Sequence, residues 1–400
     1  MKRFILSIFV GVLSCCLLVP QATAAGKPDT LYIGVLADMS GPYAPVVGSF
    51  RPGYIDACKY INEEMGGIKG VKVEPLIRDN GGKVAVSLAQ YNELINRKPR
   101  PIFIDTAFSP VAEALRPRYV EDDMIGIHAG NLVAVYPLAN SYGYYPMYDE
   151  WFGFAAKWFK NNWKEKRNPR VGVITWDTAY GRGMLTEKFF AYLKEVGVDL
   201  AGKPQLFGIR DVDVTTQLMK LRSWKSDFVF SCITAGGVLA VKKGMNEMGW
   251  DVPYLANGLD LGTLNLDPVT LDGVYVQRSG ISWNETDHPA MKFILKQFKK
   301  NNRTKKDMSA FYMIGWYNMA VEHKVITEVV EKHGWDGLTT QNLKAAMNRV
   351  KEFLPWGGLT KITYTAKRPV PAHMRMYQSQ KGKLLPVSDW EEVPDFLPTQ

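Results

Sequence analysis

The sequence predicts an α/β protein made of two units, each a parallel sheet covered on both faces by helices. Three observations predict it. Apolar, β-branched runs alternate with amphipathic helical stretches; the alternation restarts near the middle of the chain; and the two halves open alike. The first half opens with Ile33-Gly34-Val35-Leu36-Ala37-Asp38 and a loop holding Tyr43. The second opens with Val171-Gly172-Val173-Ile174-Thr175-Trp176-Asp177 and a loop holding Tyr180. The two acids lie 139 positions apart, as in a chain of two related halves.

Taken in order, residues 1–24 read as an export signal removed before folding, because Lys2 and Arg3 precede an apolar stretch, 4–19, that is too short for a membrane span. Two processing readings fit. Ala22-Thr23-Ala24 suits a signal-peptidase site after Pro20, and Val12-Leu13-Ser14-Cys15 resembles a lipoprotein box that would leave Cys15 acylated. The first is preferred, and a periplasmic location is expected. No later apolar run reaches the roughly 20 residues of a transmembrane helix.

The run 31–37 reads as a strand. Phe50, Tyr54, Ala57, Cys58, Ile61 and Met65 then share one helix face, which Gly66-Gly67 closes. Strands at 71–79, 101–107 and 124–130 alternate with helices at 84–96 and 111–120. After the aromatic stretch Tyr142, Tyr144, Tyr145 and Tyr148 comes a helix to about Lys166. Strands follow at 170–177, 227–234 and 253–258, with helices between them. A strand at 273–280 leaves this second unit, and helices at 289–300, 308–333 and 340–350 precede strand-like pieces at 361–365 and 374–387. Such an ending suits a chain that crosses back to the first unit and then returns to the second.

At 400 residues and 46% hydrophobic content the chain can bury a large core in two domains. Its net charge of +9 comes from dispersed basic residues, which read as solvated faces rather than a nucleic-acid groove. Outside the signal, Cys58 and Cys232 read as buried, unpaired thiols. There is no phosphate loop and no G-x-G-x-x-G after the first strand, so no nucleotide or other cofactor is expected. The five histidines form no H-x-H or H-E-x-x-H pair, which argues against a metal site, and no G-x-S-x-G elbow supplies a nucleophile. His323 and His333 suit a helix surface; His128, ending a buried strand, suits either a core position or a ligand contact.

In open parallel sheets ligands bind beyond the carboxyl ends of the strands. The loops leaving those ends here are DMSGPY, TAFSP, HAGNLV, DTAYG, TAGG and NGLDLG, a mixture of polar, small and aromatic residues that suits a small-molecule cleft. Tyr43, Phe108 and Thr234 enter the candidate site on that ground.

IGVLADMSGPYAPVVG, INEEMGGIKGVKVEPLIRDN, WDTAYGRGM and DFVFSCIT together resemble the type I periplasmic binding proteins that serve branched-chain amino acid (Leu/Ile/Val) ABC transporters. The resemblance covers essentially the whole mature chain. It implies two doubly wound parallel-sheet lobes joined by a three-crossover hinge that close on a ligand. The expected lobes are 29–146 with 282–356, and 147–281 with 357–400. It further implies a non-catalytic, monomeric solute receptor with ABC permease subunits as its membrane partners. A sensory domain that signals to a separate membrane protein is the alternative.

Carried over residue by residue, Ser109 matches the serine that holds the ligand carboxylate, though it also suits a helix N-cap before Pro110. Asn131 and Leu132 fall where backbone amides and a threonine hold the same group, and Tyr180 matches the tyrosine that closes over the ligand. The acid that pairs with a ligand ammonium is replaced by Gly258, with Asp260 two residues on as a possible substitute. Thr234 and Ala235 stand where an aromatic is frequent, and Val46-Val47 replace a bulky ring. These departures favour a small acid, an aromatic carboxylate or an amide over leucine. Tyr148 either packs at the hinge or faces the cleft, and Asp38 and Asp177 are expected to cap their own loops.

Overall fold

The structure, a computed structural model, describes residues 26–129 and 139–397. Asn131, Leu132 and the expected export signal with Cys15 lie outside the described residues. The first sheet is wholly parallel, in the order β2-β1-β3-β4-β5. Its strands are β1 (Thr30–Ala37), β2 (Lys72–Asp79), β3 (Phe103–Thr106), β4 (Ile125–His128) and β5 (Ser141–Gly143). The second sheet comprises β6 (Arg170–Trp176), β7 (Asp199–Leu200), β8 (Gln205–Phe207), β9 (Phe228–Thr234), β10 (Tyr254–Gly258), β11 (Tyr275–Arg278), β12 (His373–Gln380), β13 (Lys383–Pro386) and β14 (Glu391–Glu392). Its main path runs β13-β12-β11-β10-β9-β6-β7; β6, β9, β10 and β11 are parallel, and β12 turns antiparallel against β11. The α/β class with two wound sheets is therefore what the sequence predicts, with a mixed edge added to the second.

The central strands are apolar on both faces because helices cover both: every residue of β3, β4 and β9 is buried. Helix Phe50–Glu64 buries Phe50, Tyr54, Ala57, Cys58 and Ile61 as its spacing predicts. Its partner is the 24-residue helix Ala310–His333 from the C-terminal part, which lies against it. Their backbones approach at two glycines. A Cβ on Gly53 would stand 2.4 Å from the Tyr312 carbonyl oxygen, and one on Gly315 would stand 2.8 Å from the Tyr54 nitrogen. Thus the chain leaves the second sheet after β11, covers the first sheet with helices, and returns to supply β12 and β13.

Some elements depart from the sequence reading. Strands β5, β7 and β8 were not expected, because two or three residues carry no detectable alternation. Residues 361–365 form no strand and make only the isolated bridge between Phe353 and Ile362. The connections between the sheets are tied to each other: Gly143 N donates to Pro369 O at 2.8 Å, Tyr364 Oη donates to Gly143 O at 3.0 Å, and Arg368 pairs with the fully buried Glu150 at 2.8 Å. Cys58 and Cys232 are buried and free. No helix among the described residues is long and apolar enough to cross a membrane.

Candidate functional site

The carboxyl ends of β1, β3, β9, β10 and β11 face one cavity of roughly 90 Å³. One buried water needs only about 10–15 Å³, so the space suits a small organic molecule. From the first sheet come Tyr43, Val46, Val47, Phe108 and Ser109; from the second, Tyr180, Thr234, Asp260 and Arg278. Tyr148 reaches it from the start of helix Tyr148–Asn162. Every predicted site residue within the described chain therefore lines this one cavity.

Local chemistry positions each of them. Asp38 accepts from Gly41 N at 2.5 Å and Tyr43 N at 3.0 Å, so the acid caps its own turn and aims Tyr43 inward. The Tyr43 ring meets Phe108 at 5.4 Å on its own side, and Trp176 at 5.7 Å and Tyr180 at 6.2 Å on the other. These edge-on contacts hold the two halves together over the cavity. Burial raises the Tyr43 hydroxyl well above the ordinary tyrosine range. Phe108 is the N-cap of helix Ser109–Glu121. Ser109 is thus one residue inside the helix, not its cap, and its Oγ lies 3.0 Å from Tyr148 Oη. Tyr148 in turn packs edge-on against Tyr180 at 5.2 Å, so it faces the cleft.

On the second sheet, Tyr180 Oη donates to Asn257 Oδ1 at 2.9 Å, and Thr234 Oγ1 donates to Gly258 O at 3.1 Å. Gly258 sits so close to β9 that a Cβ would stand 2.2 Å from the Ile233 carbonyl oxygen, so this position excludes any side chain. Asp260 is buried and caps helix Leu261–Leu264: its Oδ1 accepts from Thr263 N at 2.8 Å, while its Oδ2 accepts from Ala310 N at 2.9 Å. Burial pushes its carboxyl upward, against the pull of those amides and of Arg278. Val46 and Val47 line the wall where the resemblance implies a larger ring.

His128 resolves as a core residue. It is fully buried, its Nδ1 lies 2.9 Å from Ala129 O, and burial lowers its pKa to about 4. Asp177, expected to cap its own loop, instead pairs with Arg182, and Thr178 supplies the cap, its Oγ1 accepting from Gly181 N at 3.1 Å. No group of three or more His, Cys, Asp or Glu residues that could hold a metal occurs among the described residues.

Sequence reasoning missed Gln277, Arg278, Asn257, Tyr145 and Tyr317, all of which line the cavity. The signal was present for two of them: a glutamine and an arginine at the carboxyl end of a strand parallel to β10 must emerge at the same sheet edge as Asp260. The aromatic residues gave no such signal, since helix spacing alone does not say which face meets a cavity.

The family model for periplasmic binding protein matches residues 30–383. A search of curated protein sequences finds no match. Among solved structures, a branched-chain amino acid ABC transporter protein from Thermus thermophilus with bound valine superposes with a TM-score of 0.81 at 17% identity, covering 91% of this chain and 96% of that one. A fatty acid ABC transporter substrate-binding protein from Thermomonospora curvata gives 0.80 at 19% identity, covering 92% and 93%. An ABC transporter solute-binding protein from R. palustris in complex with 4-hydroxybenzoate gives 0.77 at 19%, covering 92% and 99%. At such identities the structural likeness speaks to the fold, while the match across 30–383 speaks to descent, and the chain belongs to the periplasmic binding protein family.

Proposed function

We propose that this protein is an exported solute receptor that captures a small carboxylate, an amino acid, aromatic acid or amide, between two lobes and delivers it to an ABC importer. The lobes in this reading are 29–146 with 282–356, and 147–281 with 357–400. The observation that carries the proposal is the buried aromatic cavity at the carboxyl ends of both sheets, closed by Tyr43 against Trp176 and Tyr180. A ligand that touches both walls favours the closed arrangement over the open one, which is the signal a permease can read. The ABC substrate-binding proteins of similar fold, with valine or 4-hydroxybenzoate bound, support both the carrier role and the ligand size. Extracellular ligand-binding receptors from Rhodopseudomonas palustris share the fold as well, which supports a sensory role as the second reading.

A thermal-shift screen of amino acids, aromatic acids, short carboxylates and amides tests the receptor reading. A true ligand at 100 times its Kd adds about 2.7 kcal/mol of stability. A flat response across all four classes refutes it. Co-purification of the loaded protein with its membrane partner separates an importer from a sensor.

A further inference from the structure

Resting on the receptor reading, we propose that the ligand is a monocarboxylate with an aromatic or apolar body and no ammonium group, its carboxylate gripped from the second sheet by Arg278 and Gln277. This reverses the polarity that the family resemblance implies, in which Ser109 and Asn131 hold the carboxylate and Asp260 an ammonium.

Two side chains carry the inference. Arg278 ends β11 and lines the cavity. Its one hydrogen bond among the described residues is a long one, 3.4 Å from Nη1 to Leu259 O; its buried Nε has none, and it forms no ion pair with a described carboxylate, Asp260 acting on it only at longer range. The contrast within the molecule is sharp: Arg303 is paired with Asp56, Arg368 with Glu150 and Arg375 with Glu285. Gln277 is 1% exposed, yet both its Oε1 and Nε2 lack a partner among the described residues. A buried amide with donor and acceptor idle costs stability, as does the buried, unpartnered Nε–H of the half-buried Arg278. A carboxylate serves the donors of both, since it accepts two parallel N–H bonds from the guanidinium fork and another from the amide Nε2.

Charge selects against the alternatives. Among the described residues, Arg278 and Asp260 are the only Asp, Glu, Lys or Arg side chains lining the cavity. Asp260 already accepts an amide on each oxygen, from Thr263 and from Ala310, and burial favours its neutral form. An ammonium would therefore meet an occupied acid and an unpaired arginine. The remaining wall is largely apolar, with Tyr43, Phe108, Trp151 and Phe311 beside aliphatic side chains such as Val46 and Ile281, and suits a ring or a short chain.

Isothermal calorimetry at pH 7.5 with benzoate, phenylacetate and hexanoate, each beside its neutral amide, and with L-leucine and L-phenylalanine, tests the assignment. At least one acid is expected to bind about 100-fold tighter than its amide, and the amino acids no better than the amides. Arg278→Gln should weaken that acid about 100-fold while changing its amide less than about threefold. Arg278→Lys keeps the charge but loses the fork, and should weaken the acid about tenfold with the same melting temperature as the parent. Should Arg278→Gln fail to fold, the lysine variant carries the comparison. An amide or zwitterion that binds tighter than the matched acid, or an acid whose affinity ignores both substitutions, overturns the carboxylate assignment and leaves the receptor reading standing. No binding by any probe overturns both.

Discussion

Asp149 shows how a single residue couples this fold to pH. It lies at the start of helix Tyr148–Asn162, 1% exposed, with Thr186 Oγ1 donating to its Oδ2 at 2.8 Å. Burial raises its pKa to about 7, with the neighbouring Glu150 pushing the same way. The folded chain thus keeps this proton up to about pH 7, whereas an unfolded chain releases it near the ordinary value of 3.8. A raised acid pKa makes folding stability greatest below about pH 4, falling between about 4 and 7, and level above that. Asp149→Asn keeps an acceptor for Thr186 and removes the titration. We expect the variant to gain stability relative to the parent as the pH rises from 4 to 8, on the order of 1–3 kcal/mol at the upper end. Paired urea denaturation curves at the two pH values check this; an equal difference at both would refute it.

At the scale of elements, the loop after β10 and the start of helix Ala310–His333 depend on each other. That helix covers the first sheet, yet the acid near its first residue, Asp260, comes from the second. A carboxylate at a helix N-terminus satisfies orphan amides and meets the positive end of the helix dipole. Asp260→Ala strips acceptors from Thr263 N and Ala310 N together, so a loss of about 1–3 kcal/mol is expected without any ligand present. Chemical denaturation of the ligand-free variant measures it. Were stability unchanged while ligand affinity collapsed, Asp260 would be a ligand partner and not a clamp. The sequence placed this acid in the cleft by resemblance, but the amides it serves are 50 residues apart in the case of Ala310, which no local pattern reveals.

At the scale of the whole molecule, the proposed closure would rest on rings that meet across the cavity. Tyr43 supplies the contacts to Trp176 and Tyr180. Each aromatic pair contributes about 0.5–1.5 kcal/mol beyond its buried area. Tyr43→Ala should therefore shift the ligand-free protein toward an open form and weaken ligand binding roughly tenfold or more, since the bound state must supply the lost closure energy. Small-angle scattering reports the first effect as a larger radius of gyration, and calorimetry reports the second. Unchanged scattering and affinity would show that these rings pack without governing closure.

Much of this architecture was legible because its cause is local. The continuous apolar run of β1, buried on both faces, and the helix face of Phe50–Glu64, with its period of 3.6 residues, are patterns that burial imposes, and the Gly258 departure was visible as one missing side chain. The twin openings at Asp38 and Asp177 announced two related halves; the loops beyond the strands pointed to Tyr43, Phe108 and Thr234 and the resemblance to Ser109 and Tyr180, whereas Tyr148 suited hinge or cleft alike, and all six line one cavity. What the sequence by itself determined is thus the α/β class and the edge at which a ligand would bind. Only the tertiary structure decided the electrostatics of that edge. Whether Asp260 is free or engaged depends on an amide contributed by a distant helix, and whether Arg278 has an ion-pair partner depends on what its neighbouring elements bring to it. Periodicity carries no information about such partners, because the residues that satisfy a buried charge converge from separate parts of the chain and meet only when both sheets and their crossovers are in place.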